Sequence, residues 1–146
     1  MKRSKRMAVV VDLAKHKVQE AAKAVAYVQN QLRQEEGQLV QLHEFLDEYR
    51  ANSREQGSKG ISVQQFRIYN DFAENVEQAI VQQKQQIGVV EGQLEQVRQH
   101  WRHLDARFKG LEKLLDKIIA EEEAEAERQL QKEQDEFASR SNRRVW

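Results

Sequence analysis

The 146-residue chain has no cysteine and no proline, only 7% aromatic side chains, and no net charge, since 24 basic groups balance 24 acidic ones. Each shortage excludes something. Without Cys there is no disulfide framework, no thiolate-bound structural zinc and no thiol nucleophile, and a reducing compartment is the natural setting. Without Pro nothing forces a helix to stop. A balanced charge argues against a general polyanion binder. No apolar run approaches the ~20 residues needed to span a bilayer, and direct membrane insertion is not expected. Met1 to Arg6 is basic, but the apolar stretch behind it ends at Asp12, too short for a signal-peptide core. The chain is expected to be cytosolic.

What remains is rich in Gln (twenty residues), Ala, Glu, Leu, Lys and Arg, a mixture that favours long helices over a compact globular domain. At 39% hydrophobic content a thin seam between helices is feasible, whereas a thick core with a catalytic cleft is not.

The seam is legible. Every seventh residue from Val11 is apolar (Val11, Val18, Val25, Leu32, Leu39, Leu46), and the set three residues on is Ala14, Ala21, Val28, Glu35, Leu42, Tyr49. These are positions a and d of a heptad. A second arm repeats the pattern, with a at Phe66, Ala73, Ile80, Ile87, Leu94, Trp101, Phe108 and Leu115. Its d set is Tyr69, Val76, Gln83, Val90, Val97, Leu104, Leu111 and Ile118. Between the arms lies REQGSKGISVQQF, with Gly57 and Gly60 among small polar residues. Ser62 followed by Gln65 has the spacing of a capping box.

One break between two heptad arms predicts an all-α fold, a long two-helix antiparallel coiled-coil hairpin with an overhanging C-terminal helix. The expected boundaries within a single domain, 1–146, are a helix over about 8–54, a turn over 55–61 and a helix over about 62–139. Antiparallel layers pair a with d. Centring on the glycines predicts Val11 opposite Leu104, Ala14 opposite Trp101, Ala21 opposite Leu94, Val28 opposite Ile87, Leu42 opposite Ala73 and Tyr49 opposite Phe66. Glu35 and Gln83, the two polar seam residues, fall in adjacent layers, where they can satisfy each other and set the register. In this register Phe108 faces Met7 and Leu111 faces Ser4, while Leu115, Ile118 and Ile119 have no partner within the chain.

No catalytic constellation is present, and no enzyme activity or cofactor is expected. There is no phosphate-binding glycine loop in a strand-turn-helix setting. His100 and His103 flank the seam residue Trp101 with no carboxylate or Cys at matching spacing, so a metal site is not expected. The Glu121 to Glu127 cluster reads as a solvated face, and the basic ends lack the interleaved aromatics of a nucleic-acid binder. The flanks of the seam say more. One edge is polar, with Lys15, Gln29, Glu36 and His43 against Glu77, Lys84, Glu91 and Arg98. On the other, near the turn, Phe45 lies opposite Phe72 and Gln38 opposite Ala79. With Leu42, Tyr49 and Val76 they form a one-sided apolar patch. It either shields the end of the seam or docks a partner.

The segment QLVQLHEFLDEYR ending at Arg50, the GSKGIS turn, IYNDF ending at Phe72 and KEQDE at 132–136 carry a resemblance across the whole chain to the FliJ family, soluble components of the flagellar type III protein export apparatus. The resemblance implies an antiparallel coiled coil similar to the central stalk of rotary ATPases. It implies partners too: the export ATPase ring, the cytoplasmic domain of the membrane export-gate protein, and export chaperones. The family's gate-binding surface maps onto Gln38, Leu42, Phe45, Tyr49, Phe72, Val76 and Ala79. This chain has Phe45 where the family often has Tyr, and Gln83 where a His can occur, so hydrogen bonds at those points are not carried over. An ATPase-ring-binding end is expected at Lys2, Arg3, Lys5, Arg6, Leu111, Leu115, Ile118 and Ile119. The implied function is a mainly monomeric, non-enzymatic export factor, cytoplasmic and peripheral at the inner face of the cell membrane. A self-associating coiled-coil scaffold is the alternative.

Overall fold

The computed structural model describes residues 2–144. Two helices account for nearly all of them: α1, Arg3–Ser58, and α2, Val63–Arg144. They pack against each other as a helical hairpin, and the described residues contain no strand. α1 extends beyond both expected ends and α2 beyond its expected C-terminal end, because the flanking residues include no Pro and are mostly good helix formers.

The connection is short. Gly57 stays inside α1, and the left-handed residue is Gly60, with φ 85°, a conformation that costs a side-chain-bearing residue about 1–2 kcal/mol. Lys59 N–H donates to the Gln56 carbonyl and Gly60 N–H to the Gly57 carbonyl, each at 3.2 Å, which closes the last turn of α1. Ser62 then starts α2 with both hydrogen bonds of a capping box. Gln65 N–H donates to Ser62 Oγ at 3.1 Å, and Ser62 N–H donates to Gln65 Oε1 at 3.3 Å. Two orphan donors are satisfied reciprocally.

The packing divides into two compact units, Ala21–Trp101 and Met1–Glu20 with Arg102–Trp146. In the first, Val28 clusters with Val90 and Leu94, and Leu46 with Val76 and Ile80. All six come from the a and d sets, and burying each is worth about 1.5–3 kcal/mol. Gln83 Nε2 donates to Glu35 Oε2 at 2.5 Å and to the Glu35 carbonyl at 2.9 Å. The two polar seam residues thus meet as expected.

The register corrects the expectation. Val28 was expected opposite Ile87 and packs with Leu94. Leu46, in the same register, packs with Val76. The pairing is one heptad further along α2. The cause lies in the turn: α1 runs through Gly57 to Ser58, so the chain reverses around Gly60 and the midpoint moves toward α2.

The unit of Met1–Glu20 with Arg102–Trp146 shows the same shift. Ala14 shares a small cavity of about 40 Å³ with Leu104 and Leu111, and Val11 lines a groove with Leu115. Ile118 is the most buried side chain in its unit, 2% exposed. One turn later, Glu122 accepts a hydrogen bond from Ser4 N–H at 3.1 Å. Leu115 and Ile118 therefore do not lack partners, and Leu111 does not face Ser4. From Glu123 to Arg143 every residue is exposed, the seam positions included.

Candidate functional site

The patch beside the turn is built by one edge of each helix within the unit Ala21–Trp101. Leu42, Phe45 and Tyr49 lie three and four residues apart on α1, so they share a face, and Tyr69, Phe72, Val76 and Ala79 do the same on α2. The rings meet across the seam. Tyr49 and Phe72 have centroids 4.5 Å apart, and Phe45 and Phe72 make an edge-to-face contact at 5.9 Å. Phe45 stacks along α1 on Tyr49 at 6.4 Å, and Tyr49 meets Tyr69 edge-on at 5.7 Å. Such pairs are worth about 0.5–1.5 kcal/mol beyond their buried area.

The cluster is graded from seam to solvent. Val76 is buried, and Leu42, Tyr49 and Ala79 are half-buried, whereas Gln38 lies exposed. Phe45 and Phe72 stay 47% and 40% exposed. The structure thus brings the seven patch residues onto one flank, with the two Phe rings at its outer rim. Burial, and secondarily Tyr69, raises the Tyr49 hydroxyl above its ordinary pKa, so the ring is neutral throughout the physiological range. Arg50 pairs with Glu77 at the border of the flank. Both side chains are nearly half exposed, so this pair orders the edge more than it stabilises the fold.

Three features escaped the sequence reading. Tyr69, assigned to the seam, completes the ring cluster, and its spacing three residues before Phe72 was the available signal. Phe66, expected opposite Tyr49, is exposed instead and lines a cavity at the turn together with Tyr49, Ser53, Arg54 and Tyr69. Glu122 supplies a carboxylate to the first turn of α1, which has no acidic residue of its own. The Ser4 hydrogen bond, then the charges of Lys2 and Arg3, lower the pKa of Glu122. This is the interaction a helix N-terminus favours.

At that end Lys2, Arg3, Lys5 and Arg6 are exposed. Leu111 and Leu115 are half-buried, Ile118 is buried, and Ile119 is exposed. The apolar members thus sit in the seam beside the start of α1, and the basic members face solvent. His100 and His103 are both exposed. Among the described residues no group of three or more His, Cys, Asp or Glu side chains could hold a metal ion, and no helix is long and apolar enough to cross a membrane.

Fold and flank define a class: a two-helix coiled-coil hairpin whose aromatic cluster opens on one side. The chain belongs to the FliJ family, since the family model described as Flagellar FliJ protein matches residues 3–145. It is similar to the flagellar FliJ protein of Escherichia coli (strain K12), 29% identical over 135 residues, which covers 92% of each chain. It is also similar to that of Salmonella typhi, 29% identical over 130 residues, covering 89% of this chain and 88% of the relative. No solved structure matches the chain significantly.

Proposed function

We propose that this flagellar protein is a non-enzymatic export factor that couples the export ATPase ring to the export gate and escorts substrate chaperones, working at the inner face of the cell membrane. The observation that carries the reading is the aromatic flank. Phe45 and Phe72 lie at 47% and 40% exposure, directly on a half-buried Tyr49, and a two-helix hairpin has no third layer to cover them. Exposed aromatic rings on a packed base are the usual material of a protein-docking surface. The cytoplasmic domain of the membrane gate protein is the partner assigned to Gln38, Leu42, Phe45, Tyr49, Phe72, Val76 and Ala79.

The ATPase ring is assigned to the other end. Lys2, Arg3, Lys5 and Arg6 provide the contact charges, and Ile119 adds apolar surface beside them. Leu111, Leu115 and Ile118 serve this end by holding the start of α1 in place rather than by touching the ring.

Pull-downs against the two partners test the division. Phe45→Ala with Phe72→Ala is expected to lose the gate domain while keeping the ATPase and its helical circular dichroism. Glu at positions 2, 3, 5 and 6 is expected to lose the ATPase and keep the gate. A folded Phe45/Phe72 double variant that still captures the gate domain fully overturns the docking assignment. It leaves the rings as a cover for the end of the seam.

A further inference from the structure

The turn holds a cavity that the flank does not account for. It measures about 520 Å³, within the range of sites that take small ligands or single inserted side chains. Tyr49, Phe66 and Tyr69 form aromatic walls, and Arg50, Ser53 and Arg54 line it from α1. Two aspects of this lining point to an occupant. The Ser53 hydroxyl is buried and has no hydrogen-bond partner, and a native interior rarely leaves such a group unpaired. The only charged groups in the lining are the two guanidiniums. Arg50 is engaged by Glu77, whereas Arg54 makes no ion pair among the described residues.

We infer that this cavity is a binding site for an acidic peptide segment of a partner protein, with one large apolar side chain inserted between Phe66 and Tyr69 and a neighbouring carboxylate held by Arg54. Charge complementarity selects the acidic segment, and the aromatic walls select the apolar anchor. A planar guanidinium holds a carboxylate in a fixed orientation, and Ser53 donates its free hydrogen to an acceptor on the same segment. The site shares Tyr49 with the flank assigned to the gate, whereas Phe45 and Phe72 do not line it.

The probe is a fluorescein-labelled peptide, Asp-Asp-Phe-Asp-Asp, titrated into the full chain and followed by anisotropy. Two counterparts accompany it, one with Gly in place of Phe and one with Lys in place of every Asp. The first peptide is expected to saturate and both counterparts to fail. Arg54→Glu, at an exposed position that leaves the seam untouched, is expected to weaken binding by about tenfold or more, the size of one lost charge-assisted hydrogen bond. Phe66→Ala is expected to weaken it as well. Amide chemical shifts should move at Ser53, Gly57 and Gly60. Absence of saturation overturns the site. Equal binding of the Gly peptide reduces it to a bare anion site, and Arg54→Glu without effect, or shifts confined to other residues, removes it from this cavity.

Discussion

Two stretches of α2 have much the same helical propensity and opposite fates. From Val76 to Leu94 the helix buries Val76, Ile80, Ile87, Val90 and Leu94. Past Glu122 it remains helical to Arg144, yet Leu130 and Phe137 are 55% and 76% exposed. The difference is not in helicity but in the seam positions. Up to Ile118 these are almost all apolar, and from Glu122 they become Glu122, Glu125, Gln129, Lys132 and Glu136. Within its unit, the last apolar seam residue lies one turn before the residue that bonds Ser4, in the first turn of α1. The amphipathic pattern ends where the partner helix ends, as expected if burial rather than propensity sustains it.

The largest expected effect tests that contrast directly. Ile118→Ala should lower unfolding stability by about 2–5 kcal/mol in urea titration, because it opens a hole under the start of α1. Phe137→Ala should stay within about 0.5 kcal/mol of the parent, since nothing covers it. Equal effects at the two positions would mean that α1 does not cover Ile118.

The turn offers a sharper version between two glycines. Gly60→Ala should destabilise by about 1–2 kcal/mol, because its φ of 85° suits a residue without Cβ. Gly57→Ala should stabilise by about 0.5–1 kcal/mol: it lies within α1, and a Cβ there meets nothing within 4 Å. Thermal melts of the two variants should therefore shift in opposite directions. A shift in the same direction would return the chain reversal to the Gly57 side.

The aromatic flank is expected to show a smaller effect. A double-mutant cycle between Phe45 and Phe72 should return a coupling of about 0.5–1.5 kcal/mol for the edge-to-face pair. Coupling near zero would make the rings independent surface groups.

The smallest effect is electrostatic and belongs to the start of α1. Glu122 has its folded pKa lowered by Ser4, then by Lys2 and Arg3. Its contribution is therefore present above the unfolded carboxylate pKa and is lost as pH falls through the lowered folded value. The Ser4 amide resonance should titrate with an apparent pKa below the ordinary Glu value of about 4.3, and Glu122→Gln should abolish that titration. A Ser4 amide that titrates identically in the variant would assign the effect to another group.

Much of this was readable from residues alone. The a and d sets, the Ser62–Gln65 cap, the Glu35–Gln83 pair and the gathering of Phe45, Tyr49 and Phe72 on one edge all follow from spacing. Each depends on neighbours a few residues away or on a repeat of fixed period. The cavity at the turn was not readable, because it arises from Phe66 falling outside the seam while Tyr49 pairs with Tyr69 and Phe72. The cap given by Glu122 to Ser4 joins residues 118 apart, and no local pattern announces it.

The residues by themselves determined the helices, the face each helix buries and the existence of a reversal near the glycines. Helical period, capping and apolar spacing are local properties. Only the tertiary structure decided which heptad meets which. A seven-residue repeat slid by seven residues presents the same apolar faces, so pattern cannot separate the two registers. What separates them is the geometry of the reversal. Gly57 remains helical and Gly60 takes the left-handed conformation, and that choice sets Val28 against Leu94.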